Sequence, residues 1–272
     1  MSSPAAPTLH SALREVAAGA RAGTTVVALD FDGVLAPLVD DPARSRALPE
    51  AADALARLAA AGVPVALVSG RALEDLWTVA QPPPGVHLVG GHGAEHGRVT
   101  ADGLVREPLE LPPAAARSLV DVTEALDRLV EGTTARVERK PASAVLHTRT
   151  ATPDDTARLT DAAVAIGRDA DADVMAGKDV VELSVLPVSK GEALRTLRER
   201  LGATRVFYAG DDVTDERAFA LLEPQDVTVK VGPGPTAARH RLADPAAVGV
   251  LLSDLAALVA SSPPGGGEAA GS

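Results

Sequence analysis

The sequence predicts an α/β protein in which a doubly wound parallel sheet is interrupted by an inserted α+β domain. Short runs of buried-type residues alternate with helical stretches up to about residue 100, and the same alternation resumes at residue 189. Between these regions, a helix followed by two strands occurs twice. We therefore expect a core formed by residues 1–106 and 187–260, an inserted domain over 107–186, and a flexible tail over 261–272.

The core elements follow from hydrophobic spacing and from residues that end helices. The buried-type run 26–29 predicts a central strand, and helical apolar spacing closed by Gly62 predicts the helix after it. The core elements predicted in this way are helices over 9–20, 50–61, 72–79, 190–201, 216–222 and 249–260, and strands over 25–30, 63–68, 86–89, 205–209 and 227–231.

The inserted domain has its own pattern, which differs from that of the core. Apolar residues at helical spacing, among them Leu119, Val122 and Leu126, predict its first helix. The elements predicted for this domain are helices over 112–130 and 153–167, and strands over 135–139, 144–148, 174–175 and 180–185. A repeated order of helix and two strands is typical of an α+β unit.

Composition excludes several function classes. The net charge is -11, from 26 Lys and Arg against 37 Asp and Glu, which argues against nucleic-acid and anionic-membrane partners. The sequence contains no cysteine, which excludes disulfides, thiolate nucleophiles and cysteine-ligated metals. We find no apolar stretch of signal-peptide or membrane-spanning length. The expectation is a cytoplasmic, monomeric protein that acts on a small molecule.

Two carboxylates directly follow the central strand. Asp30 and Asp32 are separated by one residue and followed by Gly33. Because ligands of open α/β sheets bind at the carboxyl ends of the strands, two acids there indicate a site for a hard cation such as Mg²⁺. The alternative is an ordinary surface turn, in which Asp and Gly are common.

Polar residues also end other core elements. Ser69, Gly70 and Arg71 follow the second strand, and Lys190 begins a helix. An acidic turn containing Asp211, Asp212 and Asp215 follows a later strand. In a parallel sheet these ends share one edge, so we expect the groups to converge.

This convergence predicts two binding roles. For the metal we expect Asp30, Asp32 through its carbonyl, and Asp211, with Asp215 either a direct ligand or an orienting residue. For a phosphate we expect Lys190, Ser69 and the amides of Gly70 and Arg71. The alternatives are a solvated surface lysine at 190 and a helix-capping serine at 69.

The inserted domain carries charged residues on predicted strands. Arg136, Glu138 and Lys140 share one strand face. His147 and Arg149 share a face of the neighbouring strand, and Glu182 lies among apolar residues on a later one. Carboxylates and cations both hydrogen-bond hydroxyl groups, so this mixed face could bind a sugar. A solvated face or simple salt bridges are the alternative.

The core residues resemble the motifs of the haloacid dehalogenase superfamily of phosphatases. The first motif is Asp30-Phe31-Asp32-Gly33, and the others are Ser69, Lys190 and the segment from Gly210 to Asp215. The resemblance implies a haloacid dehalogenase-like core with an inserted cap domain. It also implies that Asp30 is a nucleophile forming an aspartyl-phosphate, and that Asp32 is the general acid and then the general base.

A narrower resemblance is to the trehalose-6-phosphate phosphatase family. It rests on Gly90-x-His92-Gly93-x-Glu95, Glu138-Arg139-Lys140 with His147-x-Arg149, Gly177-Lys178-x-x-x-Glu182, and Lys190-Gly191-x-Ala193-Leu194. Ser189 departs from the pattern, where the family leads us to expect Asn.

The narrower resemblance implies a Mg²⁺-dependent, stand-alone hydrolase of trehalose 6-phosphate. It further implies that Glu138, Lys140 and Glu182 bind the glucose units. Two alternatives remain open at this point. One is a phosphatase for another sugar phosphate, such as sucrose phosphate or mannosylglycerate phosphate, and the other is a non-catalytic sugar-phosphate-binding protein.

Overall fold

A computed structural model describes residues 8–261, so all but the first residue of the tail predicted over 261–272 lies outside the described residues. The chain separates into two compact units. Among the described residues, one unit contains residues 8–106 and 190–261, and the other spans Glu107–Ser189. The elements of the first unit before the insertion are α1 (Leu9–Arg21), β1 (Thr25–Leu29), α2 (Pro49–Ala60), β2 (Val65–Val68), α3 (Leu73–Ala80), β3 (His87–Gly90), β4 (Glu95–Thr100) and β5 (Gly103–Arg106).

The remaining elements complete the two units. Those of the second unit are α4 (Pro113–Val130), β6 (Arg136–Arg139), β7 (Ser143–His147), α5 (Pro153–Asp169), β8 (Asp173–Gly177) and β9 (Val180–Ser184). Those that return to the first unit are α6 (Lys190–Leu201), β10 (Arg205–Gly210), α7 (Val213–Leu221), β11 (Val227–Val231), β12 (His240–Leu242) and α8 (Pro245–Ala260).

The first unit is built on one eight-stranded sheet in the order β12-β11-β10-β1-β2-β3-β4-β5. The strands from β12 to β3 are parallel, and β1 lies between β2 and β10 with Leu29 opposite Leu67 and Ala209. Along β1, Val27 and Leu29 belong to one apolar cluster, whereas Val26 and Ala28 belong to another. Helices therefore cover both faces of the sheet, which confirms the predicted doubly wound α/β class.

One edge of this sheet differs from the prediction. The hairpin of β4 and β5 continues the sheet beyond β3 in antiparallel fashion, and the sequence analysis did not predict either strand. The short strand β12 at the opposite edge was also missed. The buried positions of β4 are Glu95, Gly97 and Val99, of which only Val99 is apolar, so the sequence shows little apolar alternation there. Strands β5 and β12 are short and lie at the two edges of the sheet, where few of their residues are buried.

Two helix starts were also predicted wrongly. Helix α7 begins at Val213 instead of residue 216, because Asp212 caps it and the acidic turn runs into its first turn. Helix α8 begins at Pro245 instead of residue 249, with Asp244 accepting a hydrogen bond from the amide of Ala247. Proline in the first turn of a helix needs no hydrogen-bond partner for its nitrogen.

The second unit contains a four-stranded antiparallel sheet in the order β6-β7-β9-β8. Helices α4 and α5 cover one face, where Leu126, Leu146 and Leu183 are buried in a common cluster. Alternation along the strands places Glu138, Val145 and Glu182 in one row across the sheet. The other face of this sheet therefore carries the polar residues predicted for it.

Candidate active site

The core site lies where the chain changes direction across the sheet. After β1 the chain continues to β2 on one side, whereas β10, on the other side of β1, continues to β11. Asp30 directly follows β1, and its amide donates a hydrogen bond to the carbonyl of Ala209 at 2.9 Å. The end of β1 therefore meets the end of β10 at a topological switch point, where open α/β sheets bind ligands.

Lys190 joins residues from distant parts of the chain. Its Nζ lies 2.9 Å from Oδ2 of Asp30 and 2.8 Å from Oδ1 of Asp215, and a carboxylate oxygen of Asp212 is 3.8 Å away. Lys190 is the first residue of α6, and only 1% of it is exposed. Although burial lowers the pKa of Lys190, the neighbouring carboxylates raise it overall, which keeps the ammonium charged.

Asp215 is held by hydrogen bonds on both oxygens. Oδ1 accepts from Lys190 at 2.8 Å and from the hydroxyl of Tyr208 at 2.5 Å, and Oδ2 accepts from the amides of Asp211 and Asp212 at 2.8 and 3.0 Å. Burial would raise the pKa of Asp215, but Lys190 and these hydrogen bonds lower it to about 2. Four accepted hydrogen bonds favour an orienting role for Asp215 over direct metal binding.

Asp30 and Asp211 have the opposite electrostatic character. Burial raises the pKa of Asp30 well above its usual range. The charge of Lys190 lowers this pKa, but the neighbouring carboxylates raise it again. Burial, followed by the charges of Asp215 and Asp212, raises the pKa of Asp211 to about 7. These two carboxylates therefore lack enough positive charge in their surroundings.

A divalent cation would supply the positive charge that Asp30 and Asp211 lack. Oxygens of Asp30, Asp212 and Asp215 lie within 4.8 Å of one another, but the Lys190 ammonium already contacts all three side chains. The Asp211 carboxylate lies against Gly33, since a β-carbon on that glycine would be 2.0 Å from an Asp211 oxygen. Hard oxygen donors with raised pKa values are suited to Mg²⁺, so Asp30 and Asp211 are the better candidate ligands.

The side chain of Asp32 is held away from Lys190 by different partners. Nε and a terminal nitrogen of Arg71 donate to Oδ2 and Oδ1 of Asp32 at 2.6 and 2.8 Å, and the hydroxyl of Ser45 donates to Oδ1 at 2.7 Å. Burial would lower the pKa of Arg71, but the hydrogen bond and charge of Asp32 raise it overall. The sequence analysis expected only the amide of Arg71 to be used, so this role of its guanidinium was missed.

The turn after β2 is the candidate phosphate-binding loop. The hydroxyl oxygen of Ser69 accepts a hydrogen bond from the Arg71 amide at 3.2 Å, and the amide of His92 donates to the Ser69 carbonyl at 3.0 Å. A β-carbon at Gly70 would be 2.3 Å from the ring of His92, so a larger residue at this position would require the His92 ring to move. Glu95 accepts from the Leu73 amide at 3.2 Å and so caps α3.

The polar face of the inserted sheet contains the ion pair of Lys140 with Glu182 and the hydrogen-bonded pair of His147 with Glu138. Nζ of Lys140 and Oγ of Ser143 donate to the two oxygens of Glu182 at 3.0 and 2.6 Å. Nε2 of His147 lies 2.7 Å from Glu138, and this hydrogen bond lowers the pKa of Glu138.

The sequence-predicted residues of the inserted domain are not all in these pairs. Arg149 is exposed and lies two residues beyond the end of β7. Arg136 is opposite His147 in the register of β6 and β7, and it is exposed. The structure therefore brings Lys140 together with Glu182, and Glu138 together with His147.

Several residues of these sites were not found from the sequence. They are Ser45, Ser143, Tyr208 and Lys230, whose Nζ donates to the carbonyl of Asp211. Lys230 at the end of β11 gave a signal that could have been used, because a buried-type strand ending in a charge resembles the pattern at Asp30. Serine and tyrosine give no such signal, since both occur widely in turns and cores.

The amino-acid sequence has recognisable relatives. A family model described as trehalose-phosphatase matches residues 28–246. A trehalose-phosphate phosphatase of Mycobacterium marinum is 34% identical over 242 residues, covering 85% of this chain and 61% of that protein. An uncharacterized glycosyl hydrolase of Mycobacterium tuberculosis is 35% identical over 271 residues, covering 93% of this chain. The chain spans only 20% of that second relative's length.

Solved structures share the fold. The C-terminal domain of Candida albicans trehalose-6-phosphate phosphatase matches with a TM-score of 0.73 at 24% identity, covering 93% of this chain and 99% of that domain. An Aspergillus fumigatus trehalose-6-phosphate phosphatase matches with a TM-score of 0.66 at 26% identity, covering 94% and 99% of the two chains.

These likenesses confirm the haloacid dehalogenase-like fold class that the motifs predicted. The more particular assignment follows from the family model, which matches well over half of the sequence. The chain belongs to the trehalose-phosphatase family. Within residues 8–261, no helix is both long and apolar enough to cross a membrane.

Proposed function

We propose that this chain hydrolyses trehalose 6-phosphate to trehalose and inorganic phosphate. The observation that carries the proposal is the buried contact of Lys190 with both Asp30 and Asp215, beside an Asp32 that is held separately. Membership of the trehalose-phosphatase family supports the choice of substrate. The proposal assigns the phosphoryl chemistry to the core and sugar recognition to the inserted sheet.

In the proposed reaction, an oxygen of Asp30 attacks phosphorus as the bond from phosphorus to the sugar oxygen breaks. Asp32 donates a proton to the leaving oxygen, so trehalose departs as a neutral alcohol. Asp32 then takes a proton from a water molecule, which attacks phosphorus and releases phosphate from Asp30. Two carboxylates with different surroundings suit these two roles, since Asp30 contacts Lys190 and Asp32 contacts Arg71.

The phosphate would bind where positive charge and amide donors are available. Lys190 stays charged among its carboxylates and is the first proposed donor. The second proposed donor group consists of the Ser69 hydroxyl and the amides of Gly70 and Arg71. A divalent cation, proposed as Mg²⁺ on Asp30, Asp211 and the Asp32 carbonyl, would offset the repulsion between the carboxylate and the phosphate. Asp215 would orient Lys190 and the acidic turn.

The inserted sheet supplies the proposed sugar contacts. Glu138, Lys140 and Glu182 are the proposed residues, with His147 and Arg149 as further contacts. Glu182 is buried but already neutralised by Lys140, so it can accept hydrogen bonds from hydroxyl groups without a large desolvation cost. Adjacent donors and acceptors of this kind match the many hydroxyl groups of a disaccharide.

The test is release of inorganic phosphate from four substrates, with Mg²⁺ and after chelation. The substrates are trehalose 6-phosphate, sucrose 6-phosphate, glucose 6-phosphate and p-nitrophenyl phosphate. We expect Mg²⁺-dependent release with a clear preference for trehalose 6-phosphate. Release from the aryl phosphate alone would keep the core chemistry and contradict the sugar contacts, whereas no release from any substrate would favour a binding protein.

A further inference from the structure

The segment between β1 and α2 folds back onto the first acidic motif. It contains a single turn of 3-10 helix, Pro42–Arg44, which Asp41 caps by accepting from the Ala43 amide at 3.1 Å. Ser45 follows this turn and is fully buried. Its hydroxyl donates to Oδ1 of Asp32 at 2.7 Å, so the turn directs a buried hydroxyl at a carboxylate thirteen residues earlier in the chain.

Arg71 ties the same segment to Asp32 from the other side. One terminal nitrogen donates both to Oδ1 of Asp32 at 2.8 Å and to the carbonyl of Pro42 at 2.9 Å. The guanidinium carbon of Arg71 also lies 5.9 Å from the centre of the Phe31 ring. The guanidinium is therefore fixed by a carbonyl, a carboxylate and an aromatic face at once.

The two carboxylate oxygens of Asp32 accept different numbers of hydrogen bonds. Oδ1 accepts hydrogen bonds from Ser45 and Arg71, whereas Oδ2 accepts one from Nε of Arg71. The carboxylate cannot rotate without breaking two or more charge-assisted hydrogen bonds. Oδ2 is consequently the oxygen with more capacity left to exchange a proton with a substrate or a water molecule.

We propose that Ser45 and Arg71 are positioning residues, which hold Asp32 with Oδ2 directed for proton transfer to the sugar leaving group. This inference rests on the proposed phosphatase function and assigns it two further residues. A general acid must lie within hydrogen-bond reach of the leaving oxygen, so a carboxylate that is free to rotate transfers its proton less often. Ser45 acts only through Asp32 and is not a catalytic residue itself.

Leaving-group dependence separates this role from a general effect on structure. A sugar alkoxide is a poor leaving group that needs a proton, whereas p-nitrophenolate departs without one. The constant kcat/KM reports the steps up to the first irreversible one, which here is phosphoryl transfer to Asp30. Misplacing the general acid should therefore lower kcat/KM for trehalose 6-phosphate and leave kcat/KM for p-nitrophenyl phosphate nearly unchanged.

The experiment compares Ser45→Ala with the wild-type chain on both substrates in saturating Mg²⁺. We expect kcat/KM for trehalose 6-phosphate to fall about 10- to 100-fold, part of the ~10²- to 10⁴-fold effect of a general acid. For p-nitrophenyl phosphate we expect a change of less than about 3-fold, because the same step needs no proton. Equal losses on the two substrates, or no loss on either, would overturn the proposal.

Three further variants complete the experiment. Ser45→Thr keeps a hydroxyl and should restore most of the lost activity. Arg71→Lys removes the two-nitrogen contact with Asp32 and should show the same selective loss as Ser45→Ala. Ser253→Ala is the matched control, since its hydroxyl also contacts an arginine, accepting from Arg57 at 3.1 Å, outside this cluster. If Ser45→Ala does not fold, the comparison of Arg71→Lys with wild type decides the matter by the same criterion.

Failure of the proposed function gives a different result. If the wild-type chain releases phosphate from glucose 6-phosphate but not from trehalose 6-phosphate, the substrate assignment is wrong. The Ser45 comparison is then made on glucose 6-phosphate, which has the same kind of leaving oxygen. If the wild type hydrolyses none of these compounds, both the proposed function and the positioning role are overturned.

Discussion

The acidic centre of the core and the polar face of the inserted sheet use charge in different ways. In the core, Lys190, Asp30 and Asp215 are each at most 4% exposed and share one hydrogen-bond network. In the inserted sheet, Lys140 pairs with Glu182, and His147 pairs with Glu138 at side-chain exposures of 26% and 31%. In the first region three carboxylates share Lys190, whereas in the second each carboxylate has its own basic partner. The pKa of Glu138 is lowered by its hydrogen bond to His147 and also by the charge of Lys140.

This difference has a physical consequence for function. Charges that share a buried network shift one another's pKa values, as the opposite shifts of Asp30 and Asp215 show. Such coupling suits proton and phosphoryl transfer, which depend on protonation state. A carboxylate with its own basic partner can exchange that partner for a ligand hydroxyl without disturbing a larger network. Changes in the core should therefore remove turnover or stability, and changes in the inserted sheet should alter substrate preference.

The largest expected effect is that of Asp30→Asn. The amide has nearly the same shape but cannot act as the proposed nucleophile, so kcat for every phosphate ester should fall at least ~10³-fold. Circular dichroism and thermal unfolding should show that the fold is kept. Asp254→Asn on the exposed face of α8 is the control and should retain full activity. Unchanged phosphate release by Asp30→Asn would remove the assignment of the nucleophile.

Lys190→Met tests whether the core charges act as one system. Removing the ammonium leaves Asp30 and Asp215 buried without their shared partner, so we expect a loss of about 3–5 kcal/mol in the free energy of unfolding. Urea unfolding at pH 7 measures this loss. At pH 5 the loss should be smaller, because the unpaired carboxylates of the folded variant then bind protons.

The control for this variant is Lys178→Met. Lys178 lies in the exposed turn between β8 and β9, so its replacement should change the free energy of unfolding by less than about 0.5 kcal/mol. If the two lysine variants had equal stability, the buried network would not be a determinant of the fold.

Glu182→Gln tests the inserted sheet. It removes the charge that Lys140 and Ser143 contact. We expect kcat/KM for trehalose 6-phosphate to fall about 10- to 100-fold, which corresponds to the free energy of one hydrogen bond to a charged group. Turnover of p-nitrophenyl phosphate, which has no sugar, should remain within about 3-fold of wild type on the same reasoning. Glu124→Gln on the exposed face of α4 is the control. Loss of aryl phosphate turnover in Glu182→Gln would contradict the division of roles between the two regions.

The smallest expected effect concerns Asp211 and pH. Its pKa of about 7 in the folded chain is above the usual value, so the native state binds the extra proton between roughly pH 4 and pH 7. The contribution of Asp211 to stability is therefore greatest below pH 4 and decreases as pH rises to 7. Without metal, the stability of wild type relative to Asp211→Asn should fall by about 1–3 kcal/mol between pH 5 and pH 8.

Urea unfolding in a chelator at the two pH values measures the Asp211 effect. Adding Mg²⁺ at pH 8 should then stabilise wild type and not Asp211→Asn, because only the carboxylate favours the bound cation. Equal stabilisation of both proteins by Mg²⁺ would show that Asp211 is not part of the cation site.

The α/β class and the positions of most helices and strands could be predicted from the amino-acid sequence alone. Hydrophobic periodicity is local, so the buried run of β1 and the apolar stripe of α4 are visible without a structure. The acids after β1 and β10 were found for the same reason, because a charge directly after a buried strand needs an explanation. These signals located Asp30 and the acidic turn, and Lys190 was found at the start of a helix.

Which of these groups contact one another could not be read from the sequence and follows from how the chain folds. Lys190 contacts Asp30 across 160 residues, and Ser45 contacts Asp32 through the fold of a short turn. Such pairings depend on sheet order, strand register and burial, which sum contributions from the whole chain. A serine or tyrosine that completes a site looks the same in the sequence as one that fills a core or a turn. This is because its hydrogen-bond partner is selected by proximity in space, which local sequence does not encode.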